Sequence, residues 1–328
     1  MLTYIIPFII LILVVVFIHE YGHYYFARKY GVGVTDFSIG FGQELFGWND
    51  KHGTRWKICW IPLGGYVKFF GDRNVFSQAD HEKILKQYNE EDQEKLFVIK
   101  PLYQRALIVF GGPLANFLLA IAIFFCIYTF VGKDFTPAVI NEVQKDSPAM
   151  IGGLKDNDII LEIDGNKVES IMDVSKYITT STGEVIDFKV ERFDQEYLLR
   201  IKPNIVLSDD NLGNKVNKRM VGIKLGAVNN EINHVKLGPA QALIQSVKEV
   251  YFVSTSSLKY IGTMLTGSGD SSQLGGPIRI AKITGQVAEI GILPFISIMA
   301  YISISLGLIN LFPIPMLDGG NLMFYAFE

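Results

Sequence analysis

The sequence predicts a polytopic α-helical membrane protein with a membrane-associated β-hairpin region and one inserted α+β domain. Three observations carry this expectation. Hydrophobic residues make up 49% of the 328 positions. The excess is concentrated in three charge-free stretches, Leu2 to Ile18, Ala106 to Gly132 and Gly291 to Phe312. Between them the pattern changes twice to short β-type runs. A helix needs roughly 20 apolar residues to cross a bilayer, and each stretch meets or approaches that length. A net charge of −3 leaves no basic surplus to neutralise phosphates, so a nucleic-acid partner is not expected. The only cysteines, Cys59 and Cys126, exclude a disulfide framework.

Taken in order, residues 1–35 form a first transmembrane helix. It is not read as a signal peptide, because it lacks a basic start and a small-x-small cleavage site and runs straight into His19-Glu-Tyr-Gly-His23. Residues 36–105 form a hairpin region and loop, rich in Gly and aromatic residues between Asp36 and Phe70. Short strands joined by glycine turns fit it, either as a small β-subdomain or as a hairpin dipping into a membrane-level cavity. Residues 106–132 are the second span. Residues 133–206 carry the α+β pattern, with β-type runs such as Asp158-Ile-Ile-Leu-Glu-Ile around a helix from Ile171 to Thr179. Residues 207–290 connect it onward through an amphipathic helix from Gly238 to Gly267, suited to a lipid surface, to packing over the spans, or to solvent. Residues 291–328 hold the third span, an Asp-Gly motif and the start of a fourth span. Arg28, Lys29, Lys100 and Arg105 flank the first two spans and place Tyr24 to Gln104 in the cytoplasm, with Lys133 to Ile290 on the far side.

The chemistry centres on His19-Glu20-Tyr21-Gly22-His23. On a helix, H-E-x-x-H puts both imidazoles on one face, one turn apart, with the Glu beside them. Ionisable groups at the end of a charge-free span are expensive to bury and point to function. A catalytic zinc needs three protein ligands and an open position. Asp318 is the best candidate for the third, in Asn310-Leu-Phe-Pro-Ile-Pro-Met-Leu-Asp318-Gly-Gly320. The prolines remove helix hydrogen bonds, and the glycines permit a sharp turn back toward a buried metal.

The stretch Ser147-Pro-Ala-Met-Ile-Gly-Gly-Leu to Val168 resembles the PDZ signature of bacterial envelope proteases, although Gly153 and Asn157 depart from its usual Ala and Gly. Such domains bind extended peptides by adding a strand, and a plain spacer is the alternative. The whole chain resembles the site-2 proteases, intramembrane zinc metalloproteases of the regulator-of-sigma-E-protease type. The likeness rests on H-E-x-x-H, Phe110-Gly-Gly-Pro-Leu-Ala-Asn116, the PDZ region and Asn-x-x-Pro-x-x-x-Leu-Asp-Gly from Asn310. Family members often carry two PDZ domains, and Leu207 to Val235 is too short for a second.

The resemblance implies one Zn2+ per chain on His19, His23 and Asp318, with Glu20 as acid/base. It makes the aromatic Gly-rich loop a membrane-reentrant hairpin and implies regulated intramembrane proteolysis of single-span proteins, such as trimmed anti-sigma factors and remnant signal peptides. It places the chain in the bacterial cytoplasmic (inner) membrane, with the active site toward the cytoplasm and the PDZ domain outside. Gly64, Gly65, Tyr66 and Val67 offer a strand edge to an extended substrate, and Asn310, with Pro313, offers contacts to its unwound backbone. Gly111, Gly112 and Asn116 fit close helix approach near the site, or ordinary packing. Partners are transmembrane protein substrates, peptides at the PDZ groove and membrane lipid. The competing readings are a PDZ-bearing receptor with a structural metal and a metal transporter. Three ligands argue against the first and the scarcity of polar groups in the spans against the second.

Overall fold

The computed structural model describes residues 2–71, 88–209, 215–227, 233–266 and 276–328. The parts of the expected 36–105 and 207–290 regions at 72–87, 210–214, 228–232 and 267–275 lie outside the described residues. The chain divides into two compact units, Met1–Phe124 with Ile280–Glu328, and Phe125–Arg279.

The chain opens on helix α1, Leu2–Lys29, whose last turn carries Arg28 and Lys29 where cations suit the helix dipole. Strands β1, Val34–Asn49, and β2, Arg55–Phe69, follow. Each is bent in the middle, because Ser38 pairs with both Tyr66 and Lys57, and Phe37 with both Val67 and Trp56. The result is four short segments in the order 65–69, 34–39, 55–59 and 44–49. Gly40, Gly42 and Gly64 take positive φ at the bends, where β-strand residues with a side chain would be strained. Phe41, Leu45, Phe46, Trp48 and Trp60 are exposed, while Phe37 is buried under Trp56 with ring centroids 4.1 Å apart.

Helix α2, Leu102–Cys126, continues through a π-helical turn at Ile127–Val131. The second unit then builds a six-stranded sheet. Strands β3 (Lys133–Asp134), β4 (Val139–Val143), β5 (Ile159–Ile163), β6 (Asn166–Lys167), β7 (Ile186–Arg192), β8 (Gln195–Ile201), β9 (Asn204–Asp209), β10 (Lys215–Met220), β11 (Ile223–Gly226) and β12 (His234–Val235) lie in this region. The sheet order is β11-β4-β5-β7-β8, with β6 on β5, while β9 pairs β10 and β3 pairs β12. Helices α3, Pro148–Ile151, and α4, Ile171–Thr180, complete the unit, and a capping box of Ser170 and Asp173 starts α4. Its core is apolar throughout, with Ile140, Ile163, Ile186, Phe188 and Val190 fully buried. Asp158, fully buried, is held by Arg192 at 2.6 and 2.7 Å. The sheet does not close within 133–206, because its edge strand β11 comes from residues 223–226. Sequence pattern cannot reveal that, since the pairing of Ile223 with Val143 joins residues distant in the chain.

Helix α5, Pro239–Leu265, is tied to α4 by Lys176 and Glu249 at 2.8 Å. The chain returns to the first unit through α6 (Pro277–Ile290), α7 (Ile292–Asn310) and α8 (Asp318–Phe327). Among the described residues three helices are long and apolar enough to cross a membrane, Tyr4–Lys29, Leu102–Val131 and Ile292–Asn310. Leu11 and Val15 of α1 pack with Met299 of α7. Ser303 of α7 donates to the Asn116 carbonyl at 2.9 Å, a bond between spans that small residues permit.

Candidate metal centre

The apolar run of α1 ends at Ile18, and the next turn carries His19, Glu20 and His23 on a helix that continues to Lys29. Four residues of spacing stack His19 over His23 on one face. Helix α2 comes against that face without side chains between. A Cβ on Gly22 would strike the Gly111 carbonyl, and one on Gly111 would stand 2.7 Å from the Gly22 oxygen. A Cβ on Gly112 would lie 2.6 Å from His23 Cε1 and 2.8 Å from His19 Cε1. Gly112 is therefore the floor on which both rings rest. The approach also brings the Ile108 carbonyl within 2.9 Å of His23 Nδ1. A neutral His23 that donates this proton keeps its Nε2 lone pair free.

Asp318 opens α8, directly after a loop folded over its own helix. The sequence suggested that glycine turns make this bend, and the structure corrects that. Gly319 and Gly320 are helical, and what they provide is room: a Cβ on Gly319 would collide with the Leu311 and Phe312 carbonyls, and one on Gly320 with the Ile314 carbonyl. The positive φ, 78°, falls on Met316 instead. This tight fold aims Asp318 Oδ2 at both rings, 3.2 Å from His19 Nε2 and 3.4 Å from His23 Nε2. The two Nε2 atoms are themselves 3.2 Å apart.

These three atoms form a nearly equilateral triangle. Donors bound at about 2.0–2.1 Å to one tetrahedral ion lie roughly 3.3 to 3.4 Å apart. Asp318 Oδ2 is buried without a hydrogen bond, and a cation held by all three atoms would satisfy it. Among the described residues this is the one cluster of three such groups with ligand spacing. Size, donor types and the unsatisfied oxygen all fit zinc.

Glu20 points from the same turn to the hairpin. A Cβ on Gly65 would lie 3.2 Å from Glu20 Cγ. Of the other expected residues, Asn310 lies 3.3 Å from His19 Nε2 through its Nδ2, and Asn116 Nδ2 lies 3.2 Å from His19 Nδ1. Tyr66 belongs to the same edge segment, where it stacks on Phe41 at 6.2 Å, and Gly64 stands at the bend before it. Pro313 is exposed in the loop between α7 and α8. Sequence reasoning missed Ile108 and Gly22. Ile108 acts through a backbone oxygen, which leaves no trace in residue type. Gly22 was legible as a small residue facing outward between two histidines.

The family model described as Peptidase family M50 matches residues 7–328. The chain belongs to Peptidase family M50. "Putative zinc metalloprotease Atu1380" of Agrobacterium fabrum is 42% identical over 325 residues, covering 99% of this chain and 86% of that protein. Metalloprotease MmpA of Caulobacter vibrioides is 34% identical over 336 residues, covering 96% of this chain and 84% of that one. The PDZ domain of the SdrC-like protein from Listeria monocytogenes aligns with 28% of this chain and 88% of its own, at 26% identity and a TM-score of 0.23. This M50 peptidase is thus a zinc metalloprotease with membrane-crossing helices.

Proposed function

We propose that this M50 peptidase hydrolyses single-span membrane proteins at membrane level, with His19, His23 and Asp318 holding one zinc ion and Glu20 as acid/base. The observation that carries the proposal is the 3.2 to 3.4 Å triangle of donor atoms at the end of a charge-free span. When bound, zinc supplies Lewis acidity toward a peptide carbonyl and lowers the pKa of water toward about 7. Glu20 takes a proton from the attacking water and delivers it to the departing amine.

A transmembrane substrate is helical, and its carbonyls are shielded by internal hydrogen bonds, so it must be held extended to react. The segment 65–69 is the outer edge of the bent hairpin, and the two-residue period puts the backbone groups of Gly65 and Val67 on the same side. Gly64 to Val67 therefore pair with the substrate as an added strand, and the Asn310 amide hydrogen-bonds to its unwound backbone. The basic residues around the first two spans support a cytoplasmic catalytic face in a bacterial inner membrane, with the inserted unit outside. The inserted unit takes extended peptides and excludes substrates with large external domains, which fits trimmed anti-sigma factors and remnant signal peptides.

The test is cleavage of a single-span substrate by purified protein with and without a zinc chelator, beside Glu20→Gln. Chelation should abolish cleavage, and Glu20→Gln should keep zinc while losing at least about 100-fold in rate. Undiminished turnover by Glu20→Gln would assign the acid/base role elsewhere.

A further inference from the structure

The two ring ligands are held from behind in different ways. His23 donates Nδ1–H to a backbone oxygen, Ile108 O, 2.9 Å away. His19 has no backbone partner of this kind among the described contacts. Its Nδ1 faces the carboxamide of Asn116, which is fully buried on α2 and 3.2 Å away. We propose that Asn116 is a positioning residue that fixes the tautomer of His19, its Oδ1 accepting the His19 Nδ1–H so that the Nε2 lone pair is left for the cation. This rests on the zinc site proposed above.

The oxygen and nitrogen of a carboxamide are nearly isosteric, so either can occupy the place beside His19. With the amide nitrogen there, Nδ1 must accept, and the ring proton then sits on Nε2, pointing at Asp318 and into the metal position. With the oxygen there, the proton sits on Nδ1 and Nε2 is a donor to metal. Asn116 Oδ1 has no partner in the first orientation and gains the ring N–H in the second. Either orientation leaves one amide atom alone, so the ring tautomer decides between them. Neighbouring groups fix the backbone and Cβ from which the amide projects: Ser303 Oγ donates to the Asn116 backbone carbonyl at 2.9 Å, and Gly307 leaves 3.4 Å between its would-be Cβ and Asn116 Cβ. The residue type also matters. An apolar side chain of this size offers no acceptor, whereas a carboxylate offers two.

Zinc affinity of the purified full-length protein, measured by chelator competition, separates the possibilities, together with the visible spectrum of the cobalt-substituted protein. Asn116→Leu keeps the volume and removes the acceptor. It should weaken zinc by about 10- to 100-fold and change the cobalt spectrum. Asn116→Asp keeps an acceptor and should bind zinc within a few-fold of wild type. Wild-type affinity in Asn116→Leu, or equal loss in both variants, would overturn the proposal, the second outcome marking Asn116 as packing only. Asn116→Ala carries the same comparison if the Leu variant fails to fold. His19→Ala serves as the control: if it binds zinc as tightly as wild type, the zinc-site reading fails, independently of Asn116.

Discussion

The two units solve the same burial problem in opposite ways. The sheet of Phe125–Arg279 packs an apolar core, with Phe188, Ile186 and Val190 fully buried, and its fully buried charge, Asp158, is paired with Arg192. In the unit with the spans, Ile5, Ile6, Ile10 and Leu118 are exposed, while His19, Asn116 and Ser303 are buried. An inverted distribution is stable where the outer solvent is hydrocarbon, and it makes each buried polar group costly unless partnered. The inserted unit's stability therefore rests on packed volume. The metal-bearing unit depends on a few polar partners and on glycines that let backbones touch.

The largest expected effect breaks the second half of that comparison. Gly112→Ala adds one methyl where His19 and His23 rest, and the rings must move by several tenths of an ångström. Zinc content should fall to a small fraction of one per chain and cleavage should vanish, with the inserted unit still folded. Elemental analysis and limited proteolysis measure both, and normal zinc in this variant would show that the rings have slack. Phe188→Ala is the mirror experiment. It opens a cavity in a fully buried site and should cost the inserted unit about 3–5 kcal/mol, while zinc per chain stays unchanged. Zinc loss there would mean that the two units fold as one.

Much of this was legible beforehand, for physical reasons. The spans announce themselves by charge-free length, and H-E-x-x-H by its one-turn spacing. Asp318 was reachable because an acid beside an apolar run is rare. The bends of β1 and β2 at Gly40 and Gly64 were visible only as glycine turns, without the double pairing of residues 36–39. The role of Gly319 and Gly320 was misread as turn-making, since lack of room for a Cβ depends on where the Leu311 and Ile314 carbonyls go. The contacts of Asn116 with His19 and of β11 with β4 bridge residues far apart in sequence, and no local pattern encodes them.

A smaller effect concerns the hairpin turn. Burial pushes the Asp50 carboxyl up, but hydrogen bonds from Trp56, Thr54, His52 and Tyr24 outweigh it and hold the pKa at about 2. Because this lies below the unfolded value of about 3.9, the stabilisation is full above that value and is lost as pH falls through about 2. Asp50→Asn should thus be less stable than wild type at pH 6, with the gap closing toward pH of about 2. Thermal melts across that range check it. A gap independent of pH would mean that the carboxylate charge is not what the turn uses.

The central claim is that one zinc sits on the triangle of His19, His23 and Asp318. Zinc per chain in the purified wild type, His19→Ala, His23→Ala, Asp318→Asn and Glu20→Gln tests it most directly. The account predicts about one in wild type and Glu20→Gln, and marked loss in the three ligand variants, since each leaves at most two strong donors. Full zinc in Asp318→Asn, or in either histidine variant, would contradict it.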